Sequence, residues 1–237
     1  MERPHCGKTA KLSRSPRQKP ETNSTMKKTT QKKSFSSFDT KTAFQHLGLQ
    51  SLLKWQIMAT SLPPSDFFLK HWQRLEQYFN LTSERERELL IDALCEEAIS
   101  YYSHLKIWKS APLEGANTAG IADYVIAAPK AYLDLPLLCV VEAKRDDFEQ
   151  GEAQCLVELQ VCDELNRQAG QTVDVFGMVT NGKVWQFYKW TTVPKVYVSL
   201  PYSIQDLAQL LGVLHWIFGE CEAQMKGDSL KSNHPKT

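Results

Sequence analysis

Apolar positions along this chain change their spacing from segment to segment, and the changes outline its elements. Between 67 and 79, Phe68, Trp72, Leu75 and Phe79 recur every three or four residues, which predicts a helix capped by Asp66. The preceding stretch, 39–60, carries Phe44, Leu47, Leu49, Leu52, Leu53 and Trp55 in a poorer pattern, read as a short helical lead-in that ends before Pro63-Pro64. Ser83-Glu84-Arg85-Glu86 has the form of a capping box and opens a strong helix to about 104, with Leu90, Ala93, Leu94, Ala98 and Tyr101 on its apolar stripe. Glu97 falls seven residues after Leu90 and four after Ala93. It therefore points toward the packed side, where a carboxylate needs a partner.

Beyond 104 the texture turns to strands. Leu105–Ala111 reads as the first. Ile121–Ala128 and Leu137–Lys144 are apolar runs joined by a proline-containing turn, and the pattern predicts that they pair antiparallel. A helix follows from Phe148 to about Gln168, with Val157, Val161 and Leu165 in line. Val173–Thr180 and Lys183–Trp190 flank Asn181-Gly182, the strongest short hairpin signal a sequence offers. Val196–Leu200 adds an edge strand, and Ser203 caps a last helix through about Glu222. The order α, β, β, β, α, β, β, α predicts an α/β fold with a mixed central β-sheet flanked by helices.

Composition changes this picture mainly at the ends. The 237 residues are 42% hydrophobic, enough for one core, and no run of about 18 apolar residues suggests a membrane span. The formal charge of +1 conceals an asymmetry: residues 1–40 hold ten Lys and Arg against three Asp and Glu, about +7, leaving about −6 for the remainder. Residues 1–38 are rich in Lys, Ser, Thr, Pro and Gln and are expected to form a disordered basic tail; residues 226–237 form a polar one. The basic tail reads equally as a solubilising segment and as an arm supplying counterion-release affinity for phosphates. Between them lie the lead-in, 39–82, and the main domain, 83–225. The basic start lacks the apolar stretch of a signal peptide, and six scattered cysteines without a C-x-x-C pair read as reduced thiols, so a cytoplasmic location is expected.

The chemistry concentrates at a strand end. Glu142-Ala143-Lys144 closes the apolar run Leu137–Val141, and residues two apart share a face. Asp123 begins the neighbouring strand, so antiparallel pairing brings it beside Glu142 and Lys144. Two adjacent carboxylates repel unless a cation lies between them or one is protonated, and hard oxygen ligands suit Mg²⁺, with Mn²⁺ as a substitute. The bland alternative is an ion-pair ladder across a hairpin. Asp39-Thr40-Lys41 repeats the triplet with no apolar strand before it and is set aside.

Asp123 followed by Glu142-Ala143-Lys144 resembles the motif of the PD-(D/E)XK nuclease superfamily, the restriction-endonuclease-like fold with an αβββαβ core. Gly120–Ile126, Val140–Lys144, Gly151–Gln154 and Thr180-Asn181-Gly182 with Trp185, Phe187 and Tyr188 look closer still to the nuclease domain of type I restriction subunits and small stand-alone bacterial relatives. The resemblance implies a Mg²⁺-dependent nuclease acting on nucleic acid, DNA before RNA, and admits a homodimer, since cutting two strands commonly uses two sites. It implies that Asp123 and Glu142 ligate the metal, that Lys144 is catalytic and that Gln154 supports the site. Glu97 matches an acidic residue that some members carry as a further metal ligand. Ala122 stands where the motif's name has Pro, and Glu158 stands where related families place Tyr, four residues after Gln154. The other function the resemblance allows is a catalytically silent nuclease fold that binds nucleic acid or a protein.

Overall fold

A computed structural model describes residues 32–144 and 147–232. In chain order the elements are β1 (Lys33–Ser34), a 3-10 turn (Phe35–Ser37), α1 (Thr40–Leu47), β2 (Leu53–Trp55), α2 (Asp66–Tyr78), α3 (Glu84–Ile99), β3 (Lys106–Glu114), β4 (Thr118–Ala127) and β5 (Cys139–Ala143). Then come α4 (Phe148–Gln168), β6 (Val175–Thr180), β7 (Val184–Trp190), β8 (Val196–Ser199), β9 (Tyr202–Ser203), a second 3-10 turn (Ile204–Asp206) and α5 (Leu207–Ser232). The stretch from α3 to β6 thus runs α, β, β, β, α, β.

The strands form one mixed sheet ordered β1-β4-β5-β6-β7-β8-β2, with β3 also on β4 and β9 on β7. β4 and β5 pair antiparallel, while β5 and β6 pair parallel, which requires the crossover that α4 provides. β3 follows one edge of β4 from Ala119 to Ala127, so β1 and β5 share its other edge, at Thr118–Ala119 and Tyr124–Ile126 respectively. Gly120–Asp123 fall in the gap between them.

Helices cover both faces. On one, α2, α3 and α5 bury Leu75, Leu90, Leu94, Leu214 and Phe218 against Tyr124, Val141, Phe176, Trp185 and Phe187 of the sheet. On the other, α1 and α4 bury Ala43, Leu156 and Leu159 against Val125, Val140, Val179 and Tyr188. Cys95, Cys139, Cys155, Cys162 and Cys221 are free thiols inside these layers. Among the described residues no helix is long and apolar enough to cross a membrane.

Several local signals read as expected. Ser83 and Glu86 close both halves of the capping box on α3. Asn181 Oδ1 accepts from the backbone of Lys183 and Val184, and Gly182 takes the left-handed φ of 83° that the turn needs. Several boundaries differ: α3 ends at Ile99 and not near 104, β3 runs on to Glu114, β4 starts at Thr118 and β5 is only Cys139–Ala143. Lys32–Phe38, expected within the tail, belong to the fold: β1 pairs with β4, and Phe35 and Phe38 are buried. The rest of that expected tail lies outside the described residues. Leu53–Trp55 are a strand, because Gly48 ends α1 in a left-handed turn and the open edge of β8 accepts the segment in parallel register. The cap of α2 is Ser65, whose hydroxyl accepts from Phe68 N, and not Asp66. Finally, α5 continues past Glu222 to Ser232.

Candidate active site

β4, β5 and the first two turns of α4 meet where the β4–β5 ladder ends. Its last row joins Tyr124 to Val141, and one step further Asp123 and Glu142 stand side by side. Both belong to the α4 face, since Val125 and Val140, two residues away, pack in that layer. Asp123 Oδ2 accepts from the backbone N–H of Ala143 at 2.8 Å, which fixes the carboxylate across the gap in the β4 edge. The other neighbour of Asp123 is Ser110 on β3, between the rows Lys109–Tyr124 and Ala111–Ala122. Ser110 has φ of 51°, a left-handed conformation that costs a non-glycine residue about 1–3 kcal/mol. Local strain and the aspartate therefore share one position along the sheet.

Glu142 is fully buried, and its two oxygens face different partners. Oε1 lies 2.6 Å from the ammonium of Lys144, and Oε2 accepts from Gln154 Nε2 at 2.9 Å. The Gln154 amide also donates to Glu158 Oε1 at 3.0 Å and accepts from Lys144 Nζ at 3.3 Å. Burial pushes the Glu142 carboxyl up to about 8; the Asp123 charge pushes the same way, and Lys144 opposes both. Glu158 is raised well above the carboxylate range, first by burial and then by the charge of Glu142, with Gln154 acting against the shift. Its Oε2 is buried and makes no hydrogen bond.

The helix can approach this closely because it presents Gly151. A Cβ there would come within 2.7 Å of Val179 Cγ1 and 2.9 Å of Lys144 Cγ. Val179 pairs with Glu142 in the β5–β6 ladder, so Gly151 sets the distance from α4 to the strand and to the lysine stem together. Asp147 caps the helix through the N–H of Gln150, and Tyr188 of β7 donates to Glu152 at 2.9 Å, anchoring the same turn from the sheet.

Of the five residues singled out in the sequence, four come together: Asp123, Glu142, Lys144 and Gln154. Glu97 does not join them. Its oxygens accept from the backbone N–H of Ser65 at 2.7 Å and the Ser65 hydroxyl at 2.9 Å, so it ties α3 to the start of α2. An inward carboxylate on α3 needed a partner, and the N-terminus of α2 supplied it. We expect Glu97→Ala to lower thermal stability by about 1–3 kcal/mol, roughly 3–10 °C, while leaving any cleavage by the folded protein unchanged. Melting curves and cleavage assays on the same preparation check this; loss of cleavage at an unchanged melting temperature would return Glu97 to the site. Asp39 caps α1 by accepting from Thr42 N at 2.7 Å, a structural task that accounts for the second triplet.

Glu158, noted in the sequence only as a departure from the motif, stands beside these residues and accepts from Gln154. It lies one helical turn from Gln154 among Cys155, Leu156, Val157 and Leu159, all buried. An apolar run on every side of a helix marks burial all round, so a glutamate inside it must have polar company. That signal was present.

The donor set fits a hard divalent cation: two crowded carboxylates, with the charge of one raising the proton affinity of the other. Among the described residues no three His, Cys, Asp or Glu side chains converge as a complete metal cage. Mg²⁺ is commonly held by only one or two carboxylates with water and substrate oxygens.

No known protein family's profile matches the chain. Over 50 residues it is 50% identical to Crinkler effector protein 5 of Phytophthora infestans, a stretch that makes up 21% of this chain. The match spans 13% of the length of that relative, so the similarity is local to one segment of a much longer protein.

Proposed function

We propose that the chain is a Mg²⁺-dependent nuclease that hydrolyses phosphodiester bonds, in DNA before RNA. The observation that carries this reading is the convergence of Asp123, Glu142, Lys144 and Gln154 at one strand end, with Lys144 2.6 Å from a fully buried Glu142. Asp123 and Glu142 would hold the cation, with Mn²⁺ able to replace Mg²⁺. Bound there, it would polarise a phosphoryl oxygen and lower the pKa of a coordinated water.

The protein's own groups divide the remaining work. Lys144 brings a positive charge to where negative charge grows on the phosphoryl oxygens, and hydrogen-bonds the attacking water into line. Gln154 holds that ammonium from behind. The backbone N–H of Ala143 keeps Asp123 turned toward Glu142 and away from the exposed edge of β4. The choice of DNA rests on the resemblance to PD-(D/E)XK nucleases alone.

The test is plasmid nicking. Supercoiled DNA incubated with the full chain is expected to relax with Mg²⁺ or Mn²⁺, to stay intact in EDTA, and to stay intact with Asp123→Asn. A protein that retards the plasmid on a gel yet nicks it with neither metal would be the silent binding module instead.

A further inference from the structure

The side-chain amide of Gln154 sits between three charged or carboxyl groups, and only one orientation satisfies all of them. Its Nε2 faces Glu142 Oε2 at 2.9 Å and Glu158 Oε1 at 3.0 Å, and its Oε1 faces Lys144 Nζ at 3.3 Å. Turning the amide over would set a carbonyl oxygen against two carboxyl oxygens and an NH₂ group against an ammonium. The ambiguity that usually attends an amide assignment is resolved here by its neighbours.

Two acceptors hold that NH₂ group, and they differ in role. Glu142 is on the proposed metal site, so its Oε2 is free to serve there only if Gln154 has another anchor. Glu158 is fully buried one turn along the same helix, and its Oε1 takes the second hydrogen bond of that NH₂ group. We propose that Glu158 is a positioning residue: by accepting from Gln154 it locks the amide with its carbonyl toward Lys144, and so keeps the lysine placed while Glu142 engages a cation. This rests on the nuclease reading for its catalytic consequence, but the locking itself does not require a metal.

Glu158→Met and Glu158→Gln separate the alternatives. Methionine fills the buried volume without an acceptor and removes the desolvation cost of a buried carboxyl, and the Gln154 amide keeps Glu142 as an acceptor. Glutamine keeps an acceptor oxygen at the same reach. In metal-free full-length protein, the ammonium resonance of Lys144, assigned by its loss in Lys144→Ala, is expected to shift in Glu158→Met and to stay near its wild-type position in Glu158→Gln. In plasmid cleavage, kcat is expected to fall roughly 10–100-fold in Glu158→Met with KM for DNA unchanged, and to return to within about threefold of wild type in Glu158→Gln. Adding Glu158→Met to Lys144→Ala should cost nothing more. An unmoved Lys144 resonance in Glu158→Met overturns the proposal, as does an equal fall in kcat when Lys144 is already absent. If the wild-type chain cuts no DNA but the resonance moves as described, the nuclease reading fails and the positioning role stands.

Discussion

Lys144→Ala is expected to reduce Mg²⁺-dependent cleavage of plasmid DNA by about 10²–10³-fold, the usual cost of deleting one group aimed at developing transition-state charge. The fold should survive the change. Lys144 lies 2.6 Å from Glu142, and removing it would strand a buried negative charge if that charge persisted. It need not persist, because burial and the nearby Asp123 already favour the protonated carboxyl, and loss of the lysine moves Glu142 further the same way. A melting temperature within a few degrees of wild type at pH 7, together with collapsed cleavage, is the expected pair of results. Equal cleavage by Lys144→Ala and wild type would remove the lysine from the mechanism.

The second large effect is on stability, in protein stripped of divalent ions. Glu142 holds its proton more tightly in the folded chain than an unfolded glutamate does, with the carboxyl raised from 4.5 to about 8. Between those values the native state binds more protons than the unfolded state, so stability is full near pH 4.5 and falls as pH rises through 8. One such group costs about 1.4 kcal/mol per pH unit over that window, which is roughly 3–5 °C per unit for a domain of this size. Glu158, raised for the same reason, carries the decline to higher pH. Melting curves in EDTA from pH 5 to 9 should therefore slope downward, Glu142→Gln should flatten the slope, and Mg²⁺ at pH 8.5 should recover the lost stability by binding the native state. A flat profile in EDTA would mean that water or a counterion already solvates this pair of carboxyls. Glu86, Asp134 and Glu222 have depressed proton affinities, and their contributions are lost only on the acid side of the window.

Some structure that depends on neighbours in sequence was legible there, although the cap of α2 was expected at Asp66 and is Ser65. The capping box at Ser83 and Glu86 and the Asn181-Gly182 turn are local signals with the expected geometry, while the strand expected over Leu137–Lys144 is shorter, Cys139–Ala143, and ends one residue before Lys144. Placing Asp123 beside Glu142 needed one further inference, that two apolar runs pair antiparallel, and the ladder has that register. What stayed hidden is what distant chain supplies. β1 and β2 are two and three residues long and exist only because β4 and β8 offer edges to them. Glu97 looked like a site residue because nothing near it in sequence shows that Ser65, 32 residues earlier, waits with two donors. Glu158 lay in the right helical phase with Gln154 inside an apolar run, so its burial was legible, while its place beside Glu142 depends on how α4 meets β5.

The segment around β1 has a consequence for how the protein comes into being. Phe35 lies over Gly120 so closely that a Cβ there would come within 2.4 Å of the ring, and Ser36 accepts from the side chain of Gln150 at the start of α4. Lys32 adds an ion pair to Glu114 at 2.8 Å. These residues leave the ribosome 83 to 114 positions before the strand and helix that receive them. Until β4 and α4 have emerged, two phenylalanines have nowhere to bury, and the growing chain carries an exposed apolar stretch beside a run of lysines. The same docking sets Phe35 and Ser36 against β4, the strand of Asp123, and α4, the helix of Gln154, and it closes loops long enough to make it a late step in folding.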